Sequence, residues 1–372
     1  MKGIKFFSLL LCALFLTGCW DQNNLKDVKL VMGTAFDLTT DNKILNTVAI
    51  PNFTAVNEGT KTIESQIVSS IGDTPRDTRD NINHKISEDY DASKLMVILF
   101  GEEYAKQDIK STMDVFYRDP KSSHTASLVV VKGRASDALK LKILEKKPIH
   151  QYLADLLLFM QEYTVIPKRT TNPILSYLYN PGADFVLPLL EVKENEAEVI
   201  GTAMFNKNKY TGHDLTSQES TLFLLMSDKI QKKAWLKLKV HQNRKPDSNN
   251  YILINVLNLK RDLNVKANSA DDISVNINLD LKVEVMEYPA DSLDSEKEIK
   301  DLNIKISQLL TSEVNNVIKK MKEANSDILG IDSQIMAFYP DTWDKINWDD
   351  KYSNLNIKSK VSVEIFKHGV SN

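Results

Sequence analysis

Cys19 is the residue whose type and placement most directly specify chemistry in this chain. It follows Leu16-Thr17-Gly18, at the end of an apolar run from Phe6 to Leu16 that Lys2 and Lys5 precede. A charged start, a short apolar stretch and a small residue before a cut are the layout of a secretory signal. The run is too short to cross a bilayer core of about 30 Å, which takes roughly 20 apolar residues. A cysteine at this point matches a bacterial lipobox. In that reading its thiol takes a diacylglyceryl group, the chain is cut after Gly18, and the new amino terminus of Cys19 is acylated. Several acyl chains hold stably, because each buried methylene contributes about 0.8 kcal/mol and one chain alone is marginal. The expectation is a leader over residues 1–18, a lipidated Cys19, a linker over 19–26, and a body tethered to a membrane on its outward face. An ordinary signal peptide with an incidental cysteine is the simpler alternative.

The remaining chemistry-bearing residues do not converge. The six histidines (His84, His124, His150, His213, His241, His368) are scattered, and no two share the spacing that places imidazoles on one helix face for zinc. Cys12 leaves with the leader, so no free thiol remains as a nucleophile. Asp344, Asp349 and Asp350 lack the glycine turn and spaced carboxylates of a calcium loop, and read as a solvated acidic loop. Glu102 and Glu103 stand where acids complement a helix dipole, which is a simpler role than acid–base work. No P-loop, dinucleotide fingerprint, zinc-protease helix or serine elbow is present. No catalytic, cofactor-binding or metal residue is therefore assigned. Tyr339, Trp343 and Trp348, with Phe338, form an aromatic group whose default role is packing against a sheet; a partner-contact site is the functional alternative.

Composition narrows the class. With 26% charged and 42% hydrophobic residues the chain is ordinary for a globular body, and no second long apolar stretch follows the leader. Loss of the leader removes Lys2 and Lys5 and no acid, taking the formal charge from -3 to -5. No basic face or aromatic–basic interleaving stands out, so no nucleic-acid partner is expected.

Strand and helix patterns alternate through the first half. Residues 28–37 and 44–50 read as strands about a turn at Thr40-Asp41-Asn42, and Thr74-Pro75 as a helix start running to about Ser87. Leu95 to Phe100 and Ser127 to Lys132 read as strands; 109–118, 135–145 and 150–163 read as helices. Pro167, Pro173, Pro181 and Pro188 mark a segment expected to cross between domains. The second half differs. Ile273, Val275, Ile277, Leu279, Leu281, Val283 and Val285 alternate with polar residues, and Leu355 to Ile365 repeats the pattern, which predicts antiparallel sheet with one wet face. Between them, Ile299, Leu302, Ile306, Leu309, Leu310, Val314, Val317, Ile318 and Met321 form one stripe of a long helix, with Ser295 and Glu298 as its capping box. The predicted fold class is α+β and multidomain, with mixed and antiparallel sheets each flanked by helices. It comprises an N-terminal α/β region over 27–195, divisible near 133, and a C-terminal antiparallel-sheet and long-helix domain over 196–372.

Taken together, the chain from Cys19 to its end resembles the Ger(x)C family, the lipoprotein C subunits of spore nutrient germinant receptors. The likeness rests on four blocks. These are Gly18-Cys19-Trp20-Asp21 with Leu25, Val28, Gly33 and Asp37; Gly101-Glu102-Glu103-Tyr104-Ala105 with Asp114 to Phe116 and Arg118-Asp119-Pro120; Gly201-Thr202-Ala203-Met204-Phe205 with Lys209, Gly212 and Leu215-Thr216; and Asp327-Ile328-Leu329-Gly330 with Tyr339-Pro340, Trp343 and Trp348. The chain departs from the family at Gly330-Ile331-Asp332, where a second glycine is usual, and at Ala337-Phe338, where a basic residue often stands. The resemblance implies a three-domain body of sheets flanked by helices, with no enzymatic activity known for the family. It also implies anchoring on the outer face of the inner spore membrane, beside a membrane-spanning A subunit and a transporter-like B subunit thought to bind the nutrient. Two other readings compete: the solute-binding lipoprotein of an importer, and a surface enzyme acting on the cell wall. The first calls for two doubly wound lobes with continuous apolar strands, which the alternation over 273–285 opposes.

Overall fold

The computed structural model describes residues 27–56, 60–143, 147–179, 184–290, 293 and 295–367. The leader, Cys19 and the linker over 19–26 lie outside the described residues.

β1 (Val28–Leu30) leads into β2 (Gly33–Leu38), and the chain returns as β3 (Ile44–Val56) and β4 (Thr60–Gly72). α1 (Pro75–Asn83) starts where expected: the Thr74 hydroxyl accepts the Asp77 N–H at 3.1 Å, and Pro75 occupies a position needing no N–H. It stops at Asn83, short of Ser87, because Asn83 Oδ1 takes the Tyr90 N–H at 2.9 Å and helps lay β5 (Asp89–Asp91) beside β1. Then follow β6 (Val97–Gly101), α2 (Glu102–Ala105), α3 (Lys110–Arg118), β7 (Ser127–Val131), α4 (Ala135–Lys140) and α5 (Ile149–Glu162). Within the proline-marked segment the chain forms α6 (Thr171–Tyr179) and β8 (Phe185–Lys193), and Pro181 lies outside the described residues. Pro173 lies in the first turn of α6, where backbone N–H groups have no helical acceptor to lose. Pro188 directly precedes the ladder that β8 forms with β7 at Leu189.

β9 (Glu196–Asn206) and β10 (Lys209–Thr216) complete an eight-stranded sheet of order β10-β9-β8-β7-β6-β2-β3-β4, whose middle strands β8, β7, β6 and β2 are parallel. The expected boundary between 195 and 196 falls in the tight turn joining β8 to β9, and the sheet runs through it. Apolar side chains on one sheet face, including Phe36, Phe100, Phe185 and Phe205, form a core with α1, α3 and α6. Ala35, Leu99 and Val129 point the opposite way, against Leu139 of α4 and Leu153 and Leu157 of α5.

α7 (Ser217–Met226) leads to β11 (Trp235–Lys239), β12 (Tyr251–Ala267) and β13 (Ile273–Glu287), then to α8 (Glu296–Glu323), α9 (Ile331–Phe338), α10 (Pro340–Trp343), α11 (Trp348–Lys351) and β14 (Asn356–Lys367). The second sheet has order β11-β12-β13-β14. It is mixed rather than antiparallel: β14 lies parallel to β13, in register from Ser274↔Asn356. Alternation reports which face is buried, not strand direction, and α8 is the crossover that brings β14 back in the same sense. The predicted stripe is buried at Leu302, Ile306, Leu310, Val314, Val317, Ile318 and Met321. At about 1.5–3 kcal/mol each, these seven side chains contribute roughly 10–20 kcal/mol before chain entropy is subtracted. The expected capping box does not form, since the Ser295 side chain makes no cap hydrogen bond. A capping box forms instead at Thr216 and Glu219, opening α7. The α+β architecture of mixed sheets flanked by helices matches the expectation.

Candidate partner-contact site

The segment Asp327-Ile328-Leu329-Gly330 turns the chain from α8 into α9, with Gly330 at a φ of 70° that suits glycine. Asp327 is buried and caps the new helix: its two carboxylate oxygens accept the N–H groups of Ile331 at 3.1 Å and Asp332 at 2.7 Å. Asp184, just ahead of β8, ties this corner to the eight-stranded sheet. Its carboxylate accepts the Asp327 N–H at 2.7 Å and the Lys207 N–H, in the β9–β10 turn, at 2.6 Å. Burial pushes Asp184 and Asp332 up to about 6. Burial, then repulsion from Asp332, raises Asp327 well above the usual carboxylate range. Asp332 Oδ2 finds no donor among the described residues, and its reachable neighbour is the Asp327 carboxyl.

The aromatic group wraps this corner. Trp348 lies 5.9 Å from Trp343 and 5.8 Å from Tyr352, ring centre to ring centre. Tyr352 is buried, and its hydroxyl is raised by burial and by the carboxylates beside it. Tyr339 donates to the Val265 carbonyl at 3.2 Å. Tyr339, Trp343 and Trp348 are half-buried against the second core, while Phe338 is 71% exposed. The structure thus brings the three expected contact residues together on α9 to α11, with their inner faces spent on packing. An ion pair between Lys207 and Asp349 (2.6 Å) and an Asn325–Asp349 hydrogen bond (2.9 Å) close the rim.

The other motif blocks also resolve into architecture. Asp37 accepts the N–H groups of Ala135 at 2.7 Å and Ser136 at 2.9 Å, capping α4 from the end of β2. Gly101 must lack a side chain because a Cβ there would collide with the Asp37 carboxylate. Gly201, at φ 146°, lets the Leu215 carbonyl pass where a Cβ would stand. Glu102 and Glu103 pair with Lys106 at 3.3 and 2.6 Å. Burial holds His150 neutral, its imidazole lowered to about 4. Among the described residues no three His, Cys, Asp or Glu side chains are placed to hold a metal ion.

Sequence reasoning missed the buried acid cluster. Asp184 and Asp327 are 143 positions apart, and no local pattern announces their meeting. It also missed an interleaving of aromatic and lysine side chains. Trp235, Lys237 and Lys239 alternate outward on β11, and Tyr163 stands 5.0 Å from Trp235.

The chain matches two family models in succession: the spore germination protein N-terminal domain over residues 21–192, and the spore germination B3/GerAC-like C-terminal domain over 200–369. It is 24% identical to spore germination protein GerQC of Bacillus cereus over 369 residues, covering 99% of each chain. It is likewise 24% identical to spore germination protein A3 of Bacillus subtilis, covering 98% of each. The crystal structure of the GerBC protein superposes with a TM-score of 0.60 at 18% identity, over 90% of this chain and 97% of that one.

Proposed function

We propose that this chain, which belongs to the Ger(x)C family of spore germination proteins, is the lipid-anchored C subunit of a spore germinant receptor. It acts by assembly with integral-membrane A and B subunits rather than by catalysis. The observation that carries this reading is the match to both family domains, in order, over nearly the whole length beyond the leader. The motif residues support it, because Asp37, Gly101, Gly201 and Asp327 are engaged in caps and close approaches rather than gathered around a reacting centre. Tyr339, Trp343 and Trp348, with exposed Phe338 at their edge, are the proposed partner-contact residues. Lipid on Cys19 would confine the body to the outer face of the inner spore membrane and raise its effective concentration toward integral partners.

The importer reading finds no support in the second half, where a single mixed sheet carrying one long helix replaces a doubly wound lobe. The test is Cys19→Ala. The variant is expected to lose membrane association and to depress nutrient-triggered germination while leaving dormancy intact. A variant that stayed in the membrane fraction with full germination would remove the anchor from the mechanism.

A further inference from the structure

α5 is apolar on nearly every side, from Tyr152 through Leu153, Leu156 and Leu157 to Met160. A helix of that kind is normally enclosed. Its outer flank is not: Leu158 is 58% and Phe159 49% exposed. The Phe159 ring lies tilted 4.5 Å from Tyr163, and Tyr163 meets Trp235 edge to face, so the flank continues onto β11. There Trp235, Lys237 and Lys239 alternate with the buried Leu236 and Leu238 and point outward. The lysines lie along the rings. Lys233 Nζ sits 4.6 Å above Tyr163 and 5.3 Å above Trp235, and Lys237 sits 4.6 Å above Tyr251. Glu162 is paired to Lys232 at 2.5 Å, Asp247 lies 3.9 Å from Lys239, and Glu313 is held by Gln218, whose amide oxygen accepts the Lys237 N–H; among the described residues Lys233 and Lys237 have no carboxylate within ion-pair reach, so positive charge is in excess.

From this arrangement we infer that the patch of Leu158, Phe159, Trp235, Lys233, Lys237 and Lys239 rests on the anionic headgroups of a phospholipid surface. Amphipathic rings favour the headgroup level of a bilayer, and lysines extend their charge to phosphates while their stems cover apolar surface. The patch also lies toward the end of the eight-stranded sheet at which the chain enters. β1 feeds the start of β2, and Arg169, six residues past Tyr163, bonds beside the starts of β7 and β8 through Leu128 and Val186. The inference rests on the proposed anchor for its biological setting. A tethered body needs only weak affinity, because the lipid already holds the patch near its ligand.

The test separates the patch from the anchor by removing the anchor. All three cores lie within residues 31–365, so a chain starting at position 19 with Cys19→Ser keeps every buried contact. This unacylated chain is sedimented with vesicles of phosphatidylcholine alone or mixed with phosphatidylglycerol. It should bind the anionic vesicles and be released by salt. Lys233→Glu with Lys237→Glu should weaken binding by about 25-fold or more, at roughly fivefold per lysine removed. Brominated lipid should quench Trp235 fluorescence, a signal that Trp235→Phe removes without touching the charges. Equal recovery with both vesicle types overturns the inference, as does charge reversal without effect in a variant of unchanged melting temperature. Capture by polyglutamate but not by vesicles also overturns it. In each of those cases loss of membrane association in Cys19→Ala would still stand for the anchor.

Discussion

At the scale of single residues, the most consequential group is the buried carboxyl pair Asp327 and Asp332. Asp332 adds a second acid beside the carboxylate that caps α9. In the unfolded chain an aspartate titrates near 3.9, whereas burial holds Asp332 at about 6 in the fold. Between those values the folded state binds more protons, so its stability falls as pH rises. The contribution is fully present below about pH 4 and lost as pH rises through about 6, up to about 3 kcal/mol. Asp332→Asn keeps the oxygen that accepts the Ser333 N–H and supplies an amide donor to Asp327. Urea unfolding at pH 4.5 and 7.5 should show a smaller loss of stability with rising pH for the variant than for the parent. An unchanged slope would assign that proton elsewhere.

At the scale of elements, two helices test what caps them. Thr216 and Glu219 form a complete capping box at α7, and Lys320 of α8 reaches the same Glu219 carboxylate at 2.7 Å. Lys320 and the Thr216 groups hold Glu219 below the ordinary range against the opposing effect of burial. Ser295 stands at the same position of a much longer helix yet makes no cap with its side chain. Thr216→Ala should therefore cost about 1 kcal/mol in chemical denaturation, and Ser295→Ala close to nothing. The residue pattern at Ser295 and Glu298 is right for a box, but α8 is held by seven buried apolar side chains and does not depend on its first turn.

At the scale of the whole molecule, the two family segments share one sheet. β10 and most of β9 belong to the second segment by sequence but extend the sheet of the first. Val186, Met204 and Leu215 of that sheet are built into the core that α8 covers. Cutting between 195 and 196 would break the whole β8–β9 ladder, from Lys193↔Glu196 to Phe185↔Phe205. Residues 196–372 expressed alone should fail to give a cooperative thermal transition, while the whole chain melts with this hairpin intact. A cooperative melt of the isolated segment would show that its core needs nothing from β8.

The amino-acid sequence by itself determined the periodicities and the punctuation. Alternation marked β13 and β14, the three-and-four stripe marked α8, Thr74-Pro75 marked the start of α1, and the four motif blocks marked the family. Those signals are local, because each depends on neighbours a few residues apart along one strand or helix. The tertiary structure alone decided the direction of β14, the course of the proline-rich segment and the passage of one sheet through the expected boundary. It also decided the meeting of Asp184 with Asp327 and the alignment of Phe159 and Tyr163 with the lysines of β11. Each is a relation between residues tens or more positions apart, set by which faces must be buried together, and no short window of sequence contains it.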